Sequence, residues 1–151
     1  MWTEALLAYG HLACILAWVV FITSEAALLR SEWLNGAVLV RLLQVDRILQ
    51  ACWVALLLSG VARASFGLKG AGWYWGQPLL HLKLSLLVLL GVAMWRGRRR
   101  YRDWLARWQQ HQQLPEPAEV QQARRRVMAV AHLMLVIPLL GVLLARGLWT
   151  R

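Results

Sequence analysis

Three histidines of this chain lie in or beside long apolar runs, and they are the residues that point most directly to chemistry. His11 lies about two helical turns into the first run. His81 begins the third run, and Lys83 follows two residues later. Because a polar group in a lipid bilayer is costly, intramembrane histidines are functional candidates. Two imidazoles at one depth on different helices can share a haem iron, so His11 and His81 are the predicted metal ligands.

Cationic side chains accompany this predicted pair of ligands. Arg63 ends the second apolar run, Arg146 ends the fourth, and Lys83 follows His81. Haem b is a dianionic porphyrin, so nearby cations suit its propionates. Arg63, Lys83 and Arg146 are therefore predicted to bind the cofactor, and Lys83 is also a candidate catalytic residue.

A second polar layer lies towards the opposite ends of the runs. Glu25 is on the same helical stripe as His11, about 21 Å away at the α-helical rise. His132 occupies the fourth run at a similar level. Glu25 and His132 are predicted to carry protons or to bind a quinone headgroup. The alternative is a structural ion pair in which Glu25 or Asp46 contacts an arginine of the adjacent loop.

The elements that must position these residues are membrane-spanning helices. The chain has 151 residues, of which 60% are hydrophobic, more than a soluble domain of this size can bury. Four runs approach the ~20 residues that cross a bilayer. The predicted fold is all-α, an integral-membrane four-helix bundle forming one domain over 1–151, with spans at roughly 5–29, 48–64, 79–95 and 127–145.

The loop between the third and fourth runs carries its own helical pattern. Tyr101, Trp104, Leu105 and Trp108 have amphipathic spacing, and arginines fill the other faces. This pattern predicts an interfacial helix over 96–113 that lies in the lipid headgroup layer.

The charge distribution predicts the orientation of the bundle. Twelve arginines lie in the two loops that share one side of the membrane, against four basic residues on the other side. By the positive-inside rule the chain is expected in a bacterial inner membrane, with both termini outside. The arginine cluster favours topology and anionic-lipid contact over nucleic-acid binding.

Two short motifs resemble the HemJ-type protoporphyrinogen IX oxidases, small bacterial membrane proteins of four or five helices that carry haem b. One is His11 followed seven residues later by Trp18, and the other is the His-x-Lys-Leu motif that begins at His81. The resemblance implies a haem-binding role for His11 and a role in haem or substrate handling for His81 and Lys83. The first three spans also resemble a sister family of uncharacterised bacterial membrane proteins. The resemblance is carried by the Glu-x-x-Leu-Leu-Arg motif from Glu25, by Lys69-Gly70 and by Gln77-Pro78.

These observations predict a haem-b-binding oxidoreductase or electron-transfer protein that exchanges electrons with a porphyrinogen or a quinone. One alternative is a non-enzymatic small subunit or assembly factor, in which small residues of the second run pack against a membrane partner. A homodimer is a further expectation, because a second copy would bury the polar faces of four short helices. A solute carrier is the weakest alternative, because the sequence has no inverted repeat.

Overall fold

The computed structural model describes residues 2–66 and 71–146, and within these ranges every regular element is a helix. The helices are α1 (Trp2–Leu28), α2 (Gly36–Phe66), the short α3 (Ala71–Trp75), α4 (Pro78–His111) and α5 (Pro117–Ala145). Lys69 and Gly70, which form one of the predicted family motifs, and Arg151, one of the four basic residues on the less basic side, lie outside the described residues. Four helices are long and apolar enough to cross a membrane, which confirms the predicted all-α membrane bundle.

Local signals explain where the long helices begin and end. Asn35 caps α2 by accepting a hydrogen bond from the backbone N–H of Val38 at 3.0 Å. α4 and α5 each begin with a proline, whose missing N–H costs nothing in the first turn. α4 ends where Gln112 adopts a left-handed conformation, with φ of 54°. Glu116 and Glu119 then form a capping box at the start of α5.

The prediction of a separate interfacial helix over 96–113 is wrong, because this segment is part of α4. The segment is helical to His111, but it continues span three without a break. At 34 residues α4 is about 51 Å long, well beyond the ~30 Å hydrocarbon core. Tyr101 and Trp104 are buried by protein, in a cluster that includes Leu29, Leu39 and parts of α5. The apolar face of this segment therefore closes one end of the bundle instead of lying among lipid headgroups.

The four long helices form a ring in which each packs against two neighbours, in the order α1, α2, α4, α5. A central core at mid-height takes residues from all four helices, including Trp18, Leu56, Leu90 and Met134. Large apolar side chains such as Leu6, Leu12 and Leu16 remain exposed along the outside of α1. This outward apolar surface is what contact with lipid requires.

Close helix contact depends on a glycine at the α2–α4 interface. A side chain at Gly91 would overlap the indole ring of Trp53. The same indole donates a hydrogen bond to the backbone carbonyl of Leu87 at 2.8 Å. The absence of a Cβ on α4 therefore lets α2 approach closely enough to make this bond.

Candidate functional site

A cavity of about 320 Å³ lies between the four long helices, towards the end where α1 begins and α5 ends, called the terminal end below. Its walls are mostly apolar and include Leu56, Leu87 and Ile137. Its ionisable lining residues are His11, Arg63, Lys83 and Tyr74. A largely apolar pocket with a few convergent polar groups is the usual form of a small-molecule site.

His11 is buried, at 7% exposure, and its neighbours determine its tautomer. Its Nδ1 lies 2.8 Å from the Ser59 hydroxyl, and that hydroxyl donates its proton to the carbonyl of Leu56 at 3.1 Å. When the single O–H proton of Ser59 points to Leu56, as the 3.1 Å contact allows, the Ser59 oxygen accepts from Nδ1–H of His11. In the neutral ring, Nε2 then carries a lone pair, and the side chains that the structure describes make no hydrogen bond to it. This is the arrangement that a metal-binding or proton-accepting histidine needs.

Two glycines make room beside the polar groups of this cavity. A Cβ at Gly60 would lie 3.5 Å from Cε1 of His11, and one at Gly141 would lie 3.6 Å from Nζ of Lys83. Both distances are ordinary contacts, so the space is open but close to the imidazole and the ammonium group. α5 also carries Pro138 in this wall. A proline has no N–H, so the helix carbonyl one turn earlier loses its usual donor.

The structure does not bring His81 to the cavity. His81 is exposed, and its Nε2 is 2.9 Å from the backbone carbonyl of Trp75. Lys83, two residues further along α4, does line the cavity. Residues two apart on a helix point to different sides, so the predicted His11–His81 pairing is not what the fold assembles.

Two other predicted site residues also lie away from the cavity. Arg146 is exposed at the C-cap of α5 and is absent from the lining. His132 is exposed and contacts the backbone carbonyl of Met128, one turn earlier on its own helix. Of the predicted cofactor-binding residues, the fold therefore gathers His11, Arg63 and Lys83.

Glu25 lies in the other half of the bundle, near the arginine-rich loops. It is buried, at 4% exposure, and accepts a hydrogen bond of 2.6 Å from the hydroxyl of Tyr101. It lines a second cavity of about 440 Å³ that does not include His132. The predicted pairing of Glu25 with His132 as proton carriers is therefore not assembled here.

Asp46 forms an ion pair with an arginine, which was the structural alternative for this polar layer. Its Oδ2 lies 3.6 Å from Nη1 of Arg98. Gln50 donates to the same carboxylate at 3.0 Å and accepts from Arg98 at 3.0 Å. This network joins α2 to the arginine-rich half of α4, so its role is to hold the bundle together.

The sequence analysis missed two partners, Ser59 and Tyr101. Ser59 is seven residues from the end of α2, a depth close to that of His11 on α1, so depth matching would have found it. Tyr101 was placed in a separate helix, which removed it from the neighbourhood of Glu25. Within the described ranges, no group of three or more His, Cys, Asp or Glu side chains is placed to hold a metal ion.

Comparison with known proteins places the chain in a family. Residues 3–148 match the family described as "Predicted membrane protein (DUF2214)", and the chain belongs to it. Neither the curated proteins nor the solved structures contain a match. The membrane-protein prediction is thereby confirmed at the level of the family, and the resemblance to the HemJ-type oxidases stays a prediction.

Proposed function

We propose that this family member is a membrane haem-b protein, in which the terminal-end cavity would hold the porphyrin and His11 would bind its iron. The observation that carries the proposal is the buried imidazole, whose Nδ1 is engaged by Ser59 and whose Nε2 is left to the cavity. Metal-binding histidines typically have their second ring nitrogen held in this way. The proposal keeps the predicted cofactor and replaces the predicted pair of histidines by one.

The donor set of the cavity is compatible with haem b. Its apolar walls suit the porphyrin ring, and Arg63 and Lys83 supply two cations for two propionates. Met134 lines the same cavity, and a thioether is a haem ligand in some cytochromes. Among the described residues, the lining of this cavity thus offers one imidazole, one thioether, one phenol and two cations.

The chain's own contribution would be positioning and electrostatics. Ser59 would hold the ring of His11 in the tautomer whose Nε2 can bind iron, with its own proton directed to the Leu56 carbonyl. The cations would offset the charge of the ligand. Haem, when bound, supplies one-electron chemistry, and a porphyrinogen or a quinone is the proposed electron partner.

The first test is a reduced-minus-oxidised visible spectrum of the full chain purified in detergent after expression with added haem. The expected result is a b-type spectrum that His11→Ala abolishes or reshapes. His81→Ala and His132→Ala are the matched controls, because both remove an exposed imidazole outside the cavity. Both control variants should keep the wild-type spectrum.

A second set of variants tests the cavity without changing the histidine. Gly60→Leu should lower haem content because its side chain would enter the space beside the imidazole. Gly10→Leu is the control, since a Cβ there meets nothing within 4 Å. Lys83→Met should weaken haem retention, whereas Arg146→Met removes a cation outside the lining and should not.

Two outcomes would count against the proposal. Bands that survive His11→Ala unchanged would place haem elsewhere in the protein. A colourless wild-type protein that co-purifies with a second membrane protein would favour the non-enzymatic subunit instead.

A further inference from the structure

The second cavity, at the arginine-rich end of the bundle, differs in chemistry from the first. Its volume is about 440 Å³, and α1, α2, α4 and α5 all contribute to its walls. Three arginines line it, namely Arg96, Arg100 and Arg126. Glu25 is the acidic residue of the lining, and it already accepts a hydrogen bond from the Tyr101 hydroxyl.

On three of the helices that line this cavity, the lining residues change from apolar deep in the bundle to charged near its arginine-rich end. On α4, Ala93 and Met94 precede the arginines, and on α5, Arg126 precedes Val127 and Val130. α4 runs towards the arginine-rich loops and α5 runs away from them. The apolar lining is therefore deeper in the bundle and the charged lining is nearer its end. The lining of α1 has the same order, with apolar Ile22 ahead of Glu25.

The three arginines have charge that the described part of the chain does not neutralise. The ion pairs found there join Asp46 to Arg98 and Arg107 to Glu119. Among the side chains that the structure describes, no carboxylate lies within 4.0 Å of the guanidinium groups of the three arginines that line the cavity. Guanidinium groups bind phosphate oxygens through paired, charge-assisted hydrogen bonds, so a phosphate is the ligand chemistry they fit.

We propose that this cavity binds an anionic phospholipid, with its phosphate headgroup held by Arg96, Arg100 and Arg126. The acyl chain then follows the apolar wall formed by Ile22, Met94 and Val130. An amphiphile explains both ends of the cavity, whereas a free phosphate would contact only the charged end. Basic pockets between membrane helices are a known form of lipid-headgroup site.

The test compares lipid retention by two triple variants of the full chain. Arg96→Gln/Arg100→Gln/Arg126→Gln removes the arginines that line the cavity. Arg102→Gln/Arg124→Gln/Arg125→Gln, the exposed triple variant, removes the same charge from positions of the same two helices that do not line the cavity. Native mass spectrometry then counts dioleoyl-phosphatidylglycerol and dioleoyl-phosphatidylcholine retained by each detergent-purified protein.

The wild type and the exposed triple variant should retain phosphatidylglycerol over phosphatidylcholine, and the cavity triple variant should lose this preference by about tenfold or more. Gly97→Leu gives an independent check. A Cβ at Gly97 meets nothing within 4 Å, so a larger side chain would fill the cavity and leave every arginine in place. It should weaken phosphatidylglycerol retention as well.

An equal loss of preference in both triple variants would overturn the proposal, because it would reflect general surface charge. Unchanged retention in the cavity triple variant and in Gly97→Leu would also overturn it. A wild-type protein that retains no phosphatidylglycerol but binds inorganic phosphate through the same three arginines would overturn the lipid as the source and would leave a soluble phosphate ligand in its place.

Discussion

The hydrogen bond between Tyr101 and Glu25 should contribute measurably to stability, and removing it with Tyr101→Phe is the test. The bond joins α1 to the extended half of α4 over 2.6 Å. Tyr101 is 1% exposed and Glu25 is 4% exposed, so water cannot readily replace the lost partner. Phenylalanine keeps the ring and its packing, so the substitution isolates the hydroxyl.

The expected magnitude follows from the burial of the two groups. Removing one partner of a buried hydrogen bond leaves the other unpaired, which costs about 1–3 kcal/mol. We therefore expect Tyr101→Phe to lower the free energy of unfolding by about 2–3 kcal/mol. Replacing both partners, in Tyr101→Phe/Glu25→Met, should cost less than the two single substitutions together, because no unpaired group remains.

The assay is equilibrium unfolding in mixed detergent micelles, followed by circular dichroism. Tyr74→Phe is the matched control, because Tyr74 is half-buried and the described residues give its hydroxyl no hydrogen bond. The reasoning is refuted if Tyr101→Phe costs no more than Tyr74→Phe. It is also refuted if the double variant shows simple additivity, since that would mean that the two groups do not interact.

Two further stability predictions use the same assay. Gly91→Ala should lower stability by about 1–3 kcal/mol, because its methyl group would overlap a tryptophan ring of α2. Gly97→Ala, one and a half turns along α4 in open space, should be neutral or slightly stabilising, and equal costs at the two positions would contradict the packing argument. Asp46→Ala should cost about 2 kcal/mol by leaving a partly buried guanidinium without its carboxylate. Asp103→Ala removes an exposed carboxylate and should stay within about 0.5 kcal/mol of wild type, so similar effects would mean that the Asp46 network is not stabilising.

Apolar composition predicts the number of spanning helices but not their ends. α2 begins at Gly36 instead of near 48, and α5 begins at Pro117 instead of near 127. Hydropathy marks only the part of a helix that lies in hydrocarbon, whereas an amphipathic extension is buried by neighbouring protein. The capping residues Asn35 and Glu116 were visible in the sequence and place both starts correctly.

The candidate site was predicted in part because depth along a helix is easier to infer than direction around it. His11 and His81 were paired by depth, and the structure places them on different sides of the bundle wall. In a membrane, apolar residues cover both the lipid-facing and the core-facing sides of a helix. Hydrophobicity therefore does not indicate which of two polar residues faces inward.

The amphipathic extensions of the helices resolve that ambiguity. On α4, Tyr101 belongs to the buried face of the extension beyond the apolar run. Counting back from Tyr101 in steps of seven residues reaches Met94, Leu87 and Leu80, which are all buried. The same count from buried Trp104 reaches Lys83 and never reaches His81. A polar residue on the same helical face as the buried residues of the extension therefore faces the interior of the bundle, even when it lies several turns away from them.

The same counting separates the two histidine stripes of α1 and α5. On α1, His11, Trp18 and Glu25 recur in steps of seven, Leu29 follows about one turn after Glu25 just past the end of the helix, and all four are buried. On α5 the buried face runs in phase through these residues: Val120, Ala123, Met134, Ile137 and Leu144. His132, Leu139 and Arg146 are out of phase with it, and all three are exposed. A spacing of seven residues correctly identifies the members of each stripe. Only the position of the stripe relative to the buried residues at the end of the helix distinguishes a cavity-lining histidine from an exposed one.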